Sequence, residues 1–391
     1  MLRIGIITLW RSSDNYGQVL QCYALQEVLR NMGHDVYLIK YAPGITKKTI
    51  WQKIKNHMQH PAYILDHLPF ETARKREFRT EYGLKLINVK NNSLREFCEF
   101  KKKHIKMTEY QYNSFRELKK NPPKADVYIV GSDQVWHTSY NEESALGWFL
   151  QFGDDNVRRI SYAASIGRNI KDSEKKIFQQ YLAKFDAISV REESARRLCS
   201  EVGFKAQTCI DPTMLLPIDT YRKLYSPLRI TCKYTFIYVL NVKKTEDFFW
   251  PLIKVYVESS HLQIKSVTGS GYCQGRELIE GNTNILATIP EWLTYIENAT
   301  SVLTNSFHGT IFSILMHRKF LTIELQGKYG KSNTRIHDLL LSLGLSERIL
   351  KSTLSVKDQM EKTIDWEKVD EKLLRLRISS LNFLIKNLSY K

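Results

Sequence analysis

A chain of 391 residues exceeds the size at which one hydrophobic core stops growing, so two domains are expected. With 43% apolar and 25% charged residues and no long Gly, Ser or Pro tract, it is not a disordered or fibrous protein. Lys and Arg outnumber Asp and Glu by 58 to 41, and the resulting +17 favours an anionic partner without naming it.

Residues 2–9 form a short apolar run that reads as a strand. Leu25, Val28, Leu29 and Met32 then recur at helical spacing within 18–32, and Gly33 stands where a helix-terminating glycine belongs. Residues 35–40 read as a second strand. Strand, helix, strand in this order is a βαβ unit, which implies a parallel sheet with helices on its faces. The stretch 43–120 breaks the pattern: it carries 18 basic against 8 acidic side chains, including Lys101, Lys102 and Lys103, and is expected to be a helical insertion on the sheet's rim. Strand signals resume at 126–130, 159–163, 187–190 and 207–210, with helices at 173–184 and 192–200, and the first domain is expected to close near Leu216.

A second series follows. Strands are expected at 234–240, 263–268, 301–304 and 320–324, and helices at 246–258, at 291–297 behind Pro290, and at 308–316. The expected fold class is α/β, with Rossmann-like domains over 1–216 and 217–391, the second ending in terminal helices. A cleft would lie between their carboxyl strand edges. Six cysteines form no CxxC pair and no zinc spacing, so reduced thiols and no metal are expected. The chain shows no signal-peptide pattern and no run of about 18 apolar residues. A cytoplasmic protein is expected, with peripheral contact to an anionic membrane face as the electrostatic alternative for the basic segment.

Four strand ends carry candidate chemistry. In 301–310 an apolar strand ends in Asn305 and Ser306, followed by His308 at a helix start. Backbone N–H groups there favour an anion and His308 adds a titratable proton; the bland alternative is a capped helix with a half-buried His. Arg191 leaves a strand just before Glu192, where a guanidinium can hold a carboxylate or phosphate or simply pair at the surface. The turn Gly131, Ser132, Asp133, Gln134, Val135, Trp136 offers polar groups and an aromatic for a sugar, or equally a capped turn over a core Trp. The polar loop with Asn15, Tyr16 and Gln18 lacks GxGxxG, so no dinucleotide is implied.

Together NYGQVLQCYALQ, GSDQVW, SYAASIG, ISVREESA, CIDPTMLL and TNSFHGTIFSILM, in this order from the first strand to about residue 345, resemble the polysaccharide pyruvyl transferase family. The resemblance implies a GT-B-like fold of two Rossmann-like domains. It also implies transfer of a pyruvyl group from phosphoenolpyruvate, as co-substrate without a cofactor, to a sugar of a bacterial capsule or exopolysaccharide or its precursor, free or lipid-linked. By the same resemblance His308 matches the family's active-site His and Arg191 an Arg that contacts the donor. Many members carry Arg two positions before that His; here Ser306 stands there, so Lys331 and Arg335 become candidates for a second anion contact.

On this reading His308 is the general acid, Asn305 and Ser306 orient the donor, and Asp133 is the base, with Glu192 as its competitor. Asn15, Tyr16, Gln18, Ser132, Gln134, Trp136 and Glu192 are expected at the acceptor side of the cleft. The rival readings are a nucleotide-sugar glycosyltransferase on the same scaffold and a non-catalytic anion or nucleic-acid binder. No nucleic-acid motif supports the last.

Overall fold

A computed structural model describes residues 1–44, 92–137, 142–168, 170–242, 245–269, 278–279, 281–282, 284–325, 330 and 333–389. Two parallel sheets organise them. The first has seven strands, β1 (Arg3–Ile7), β2 (Asp35–Tyr41), β3 (Met107–Tyr112), β4 (Val127–Val130), β5 (Arg158–Ala164), β6 (Ala187–Val190) and β7 (Gln207–Thr208), in the order β3-β2-β1-β4-β5-β6-β7. The second has four, β8 (Tyr234–Leu240), β9 (Gln263–Gly269), β10 (Ser301–Thr304) and β11 (Phe320–Thr322), in the order β11-β10-β8-β9. Every pairing among these strands is parallel.

Parallel strands are covered on both faces, and their sequences show it. Ile4, Ile6 and Ile7 of β1 are fully buried, as are Val302 and Leu303 of β10. Helices supply the cover. They include α1 (Tyr16–Asn31), α2 (Phe97–His104), α3 (Asp172–Leu182), α4 (Glu193–Glu201), α5 (Trp250–Ser259), α6 (Ile289–Glu297), α7 (Phe307–Leu315) and α8 (Thr334–Leu343). All nine residues of α7 are buried, because α1 and α6 pack against it while it lies on its own sheet. The last helix, α9 (Trp366–Leu388), runs back to the first sheet. There Gln207 Nε2 donates to Ser379 O at 3.1 Å and Arg158 Nη1 donates to Asn387 O at 3.1 Å.

The two sheets share one continuous core. Tyr16 of α1 stacks on Trp292 of α6 with ring centroids 5.1 Å apart. Two Rossmann-like units therefore meet through side chains buried between them, which is the GT-B-like arrangement expected from the sequence.

The basic segment differs from expectation in its described part. Residues 107–112 form β3, an edge strand rather than a helix. Edge strands need little apolar alternation, so the half-exposed MTEYQY carried a weak signal. Two of its cations are structural. Arg95 is fully buried, bonding the Tyr16 hydroxyl and Thr268 O, and Lys101 is buried with its ammonium 3.1 Å from Ser12 O. Residues 45–91, which carry the rest of the insertion, lie outside the described residues.

Candidate active site

β10 ends beside β8, and the Asn305 side chain ties the two ends together, accepting from Leu240 N at 2.7 Å and donating to Leu240 O at 2.9 Å. Ser306 then caps α7, its hydroxyl accepting from Gly309 N at 3.3 Å. This capping fixes the direction of the first turn, which delivers Phe307 and His308 towards the first sheet.

His308 fits between two neighbours. On one side lies Gly17 of α1, where an added Cβ would stand 2.1 Å from His308 Cγ and Nδ1, so only glycine allows the approach. On the other side His308 Nε2 is 3.4 Å from Asp211 Oδ2, an ion-pair distance without hydrogen-bond geometry.

Asp211 is the hub of the site. Its Oδ1 accepts from Thr213 N at 3.0 Å and Thr213 Oγ1 at 2.7 Å, and its Oδ2 accepts from Ser132 Oγ at 2.7 Å and Arg191 Nη1 at 3.0 Å. Burial pushes this carboxyl up, but the charges of His308 and Arg191 outweigh burial and hold it well below the usual carboxylate range. Asp211 is thus an anion with no access to solvent. In the sequence CIDPTMLL is legible only as a motif. A lone Asp before a Pro looks like a turn cap, which it also is, and only tertiary structure brings it beside His308.

Two guanidinium groups converge on the Phe307 ring. Arg191 has its guanidinium carbon 4.4 Å from the ring centroid, and Arg335, from the start of α8, has its own at 5.6 Å. Arg191 Nε and Nη2 are buried without a hydrogen-bond partner. Burial first, and then the charge of Arg191, lower Arg335 to about 10, against the attraction of Glu192, Asp133 and Asp211. It stays a cation at neutral pH. Glu192 accepts a short hydrogen bond from Ser165 Oγ through Oε1, while its Oε2 has no partner; burial raises its carboxyl, opposed by Arg191.

These groups stand around a cleft of about 410 Å³ between the two sheets. Asn15, Gln18, Asp133 and Gln134 border it from the first sheet; Asn305, Ser306, Phe307 and His308 border it from the second; Arg335 closes one end. Asp133 holds a left-handed backbone (φ 79°), and its Oδ1 accepts from Gln134 N at 2.9 Å. Gln134 Nε2 is buried without a partner. Asn15 caps α1 by accepting from Gln18 N at 3.2 Å. Arg191 does not border the cavity.

Several expected positions need correcting. Tyr16 is not at the cleft: it is fully buried against Trp292, and its hydroxyl donates to Ala287 O at 2.7 Å. Trp136 is likewise a core residue, stacked on Phe149 at 5.1 Å with its indole N–H donating to Trp148 O. An aromatic after a turn can point either way, and here burial of its large apolar area decides. Ser132 is fully buried and serves Asp211 rather than the cleft. Glu192 borders an adjoining cavity instead. Lys331 lies outside the described residues. Among the described residues no group of three or more His, Cys, Asp or Glu is placed to hold a metal, and no helix is long and apolar enough to cross a membrane.

A sequence model described as polysaccharide pyruvyl transferase matches residues 15–326, which includes every side chain of this cluster except Arg335. The chain belongs to that family. It is therefore a transferase, and the family implies a polysaccharide acceptor. No curated protein matches the chain in sequence. Solved structures similar to this transferase include the UDP-N-acetylglucosamine 2-epimerase of Rickettsia bellii, at 13% identity and TM-score 0.44, with all of both chains covered. Another is the Methanocaldococcus jannaschii UDP-GlcNAc 2-epimerase in complex with UDP-GlcNAc and UDP, at 12% identity and TM-score 0.47, covering 96% of this chain and 99% of that one. The glycosyltransferase SnogD of Streptomyces nogalater is similar at 13% identity and TM-score 0.38, covering 98% and 95%.

Proposed function

We propose that this transferase moves the pyruvyl group of phosphoenolpyruvate onto two hydroxyls of one sugar in a bacterial polysaccharide or its precursor, forming a pyruvate ketal. The observation that carries the reading is Arg335 bordering the cleft beside His308 and the N-terminus of α7, with the buried Arg191 guanidinium also packed on Phe307. Fixed positive charge in a buried site suits a ligand bearing both a carboxylate and a phosphate. Arg335 supplies from α8 the second cation that many family members place at the position of Ser306.

The chemistry balances with the groups present. His308 gives a proton to the methylene carbon, and C2 becomes oxocarbenium-like. One sugar hydroxyl adds to C2 and passes its proton to Asp133. The C2–O bond to phosphate breaks and inorganic phosphate leaves with the proton that Asp133 had taken, which returns Asp133 to its carboxylate. The second hydroxyl then closes the ketal and its proton restores His308. Asp211, held ionised 3.4 Å from His308 Nε2, positions the imidazole for the donor.

Calorimetric titration with phosphoenolpyruvate and, separately, with UDP-galactose tests the donor. Binding of phosphoenolpyruvate that weakens in Arg335→Gln supports the reading; binding of the nucleotide sugar alone moves the protein to the glycosyltransferases. His308→Ala is expected to lower turnover by about 10²- to 10⁴-fold with phosphoenolpyruvate still bound.

A further inference from the structure

A second cavity of about 340 Å³ adjoins the cleft and shares Gly167, Arg168 and Arg335 with it. Gly167, at φ +61°, borders both, and an added Cβ there would stand 2.3 Å from Gln134 Nε2. The cavity's far side is the start of α4, bordered by Ser194 and Ala195. Arg196 N takes Glu192 O at 3.1 Å and Glu193 N takes Asp338 Oδ2 at 3.3 Å, which leaves the Ser194 and Ala195 N–H groups as first-turn donors without an intrahelical acceptor. Glu192, 3% exposed, borders the same space, and its Oε2 has no hydrogen-bond partner.

The mixture of groups narrows the ligand. Glu201 is neutralised by Lys175 at 3.2 Å, so Glu192, with Oε2 unpartnered, is the carboxyl that opposes a phosphate or carboxylate, while Lys175, Arg168 and Arg335 beside it rule out a cation site. An apolar ligand would strand the Glu192 oxygen and the helix donors. A polyhydroxylated ring satisfies both kinds of group, because each hydroxyl donates and accepts at once. The volume is at the small end of ligand sites, which run from about 300 to 1,000 Å³, and suits one sugar unit.

We propose that this cavity holds the acceptor sugar, with a ring hydroxyl donating to Glu192 Oε2 and the remainder reaching past Gly167 and Arg335 to the donor in the cleft. The assignment rests on the pyruvyl-transfer reading for its donor, but the sugar site itself is independent of it. Glu192 is accordingly a binding residue for the acceptor.

Saturation-transfer NMR with the methyl glycosides of galactose, mannose and N-acetylglucosamine tests it on the full-length protein, with calorimetric titration of phosphoenolpyruvate alongside. At least one glycoside should receive saturation. Ser194→Trp, at an exposed position on the cavity's rim, should abolish that transfer without changing the thermal melt or the affinity for phosphoenolpyruvate. Glu192→Gln, which keeps the shape and turns an acceptor into a donor, should weaken the same glycoside at least tenfold. No transfer to any glycoside, or transfer that persists in Ser194→Trp, overturns the proposal. Glycoside binding sensitive to Ser194→Trp in a protein that ignores phosphoenolpyruvate leaves the sugar site standing and removes the donor reading.

Discussion

Gly17→Ala changes the least chemistry and the most geometry. A Cβ at this position stands 2.1 Å from the His308 ring, against the 3.4 Å of ordinary contact, so the imidazole must retreat by about 1.3 Å. Misplacement of about 1 Å costs on the order of 10²-fold in rate. Stability moves much less. Ala gains up to about 1 kcal/mol over Gly within a helix, and overpacking costs about 1–3 kcal/mol, so the net cost is about 0–2 kcal/mol. The variant is therefore expected to melt close to wild type while phosphate release from phosphoenolpyruvate, measured with a glycan acceptor, falls about a hundredfold. The ¹⁵N resonances of the His308 imidazole should shift as it leaves Asp211. Wild-type turnover in a folded Gly17→Ala protein would mean that His308 does not act from the position described.

Asp211→Asn leaves the Arg191 guanidinium buried without its counter-ion and is expected to cost about 3–5 kcal/mol in chemical denaturation. The pH dependence follows from the same group. Because its folded-state value is depressed, its stabilisation is complete above the unfolded value of about 4 and is lost as pH falls below it, so wild type should lose stability there more steeply than Asp211→Asn. Arg335→Gln removes a charged contact and should weaken phosphoenolpyruvate by about 10- to 100-fold, a loss that Arg335→Lys restores only in part. Trp136→Ala should destabilise by about 3–5 kcal/mol in denaturant and leave glycoside and phosphoenolpyruvate affinity per folded molecule unchanged, in keeping with a core residue.

Much of the fold was legible because both sheets are parallel and buried. Strands such as β8 and β10 are short, continuous apolar runs bounded by polar turns, and helices such as α1 and α6 repeat apolar residues at helical spacing with recognisable caps. β3 was not legible, because an edge strand half in solvent needs no such pattern. His308 and Arg335 were legible as chemistry-bearing residues near strand or helix ends, and so were the polar groups at the ends of β1, β4 and β10 that border the cleft. Tyr16 and Trp136 were misplaced because a motif records which residues occur together, whereas burial depends on what the rest of the chain packs against them.

By itself the sequence determined the parallel α/β class, the order of most strands along the chain and the family. These follow from local periodicity and ordered motifs, which survive without knowledge of contacts. Only the tertiary structure decided that Asp211 lies beside His308, that Arg335 from α8 and Arg191 converge on Phe307, and that Glu192 borders a neighbouring cavity rather than the cleft. Asp211 and His308 are 97 residues apart in the chain and Arg191 and Arg335 are 144 apart, and the ionisation of Asp211 and Arg335 depends on burial and on neighbouring charge. Neither distance through space nor loss of solvent is written in local pattern.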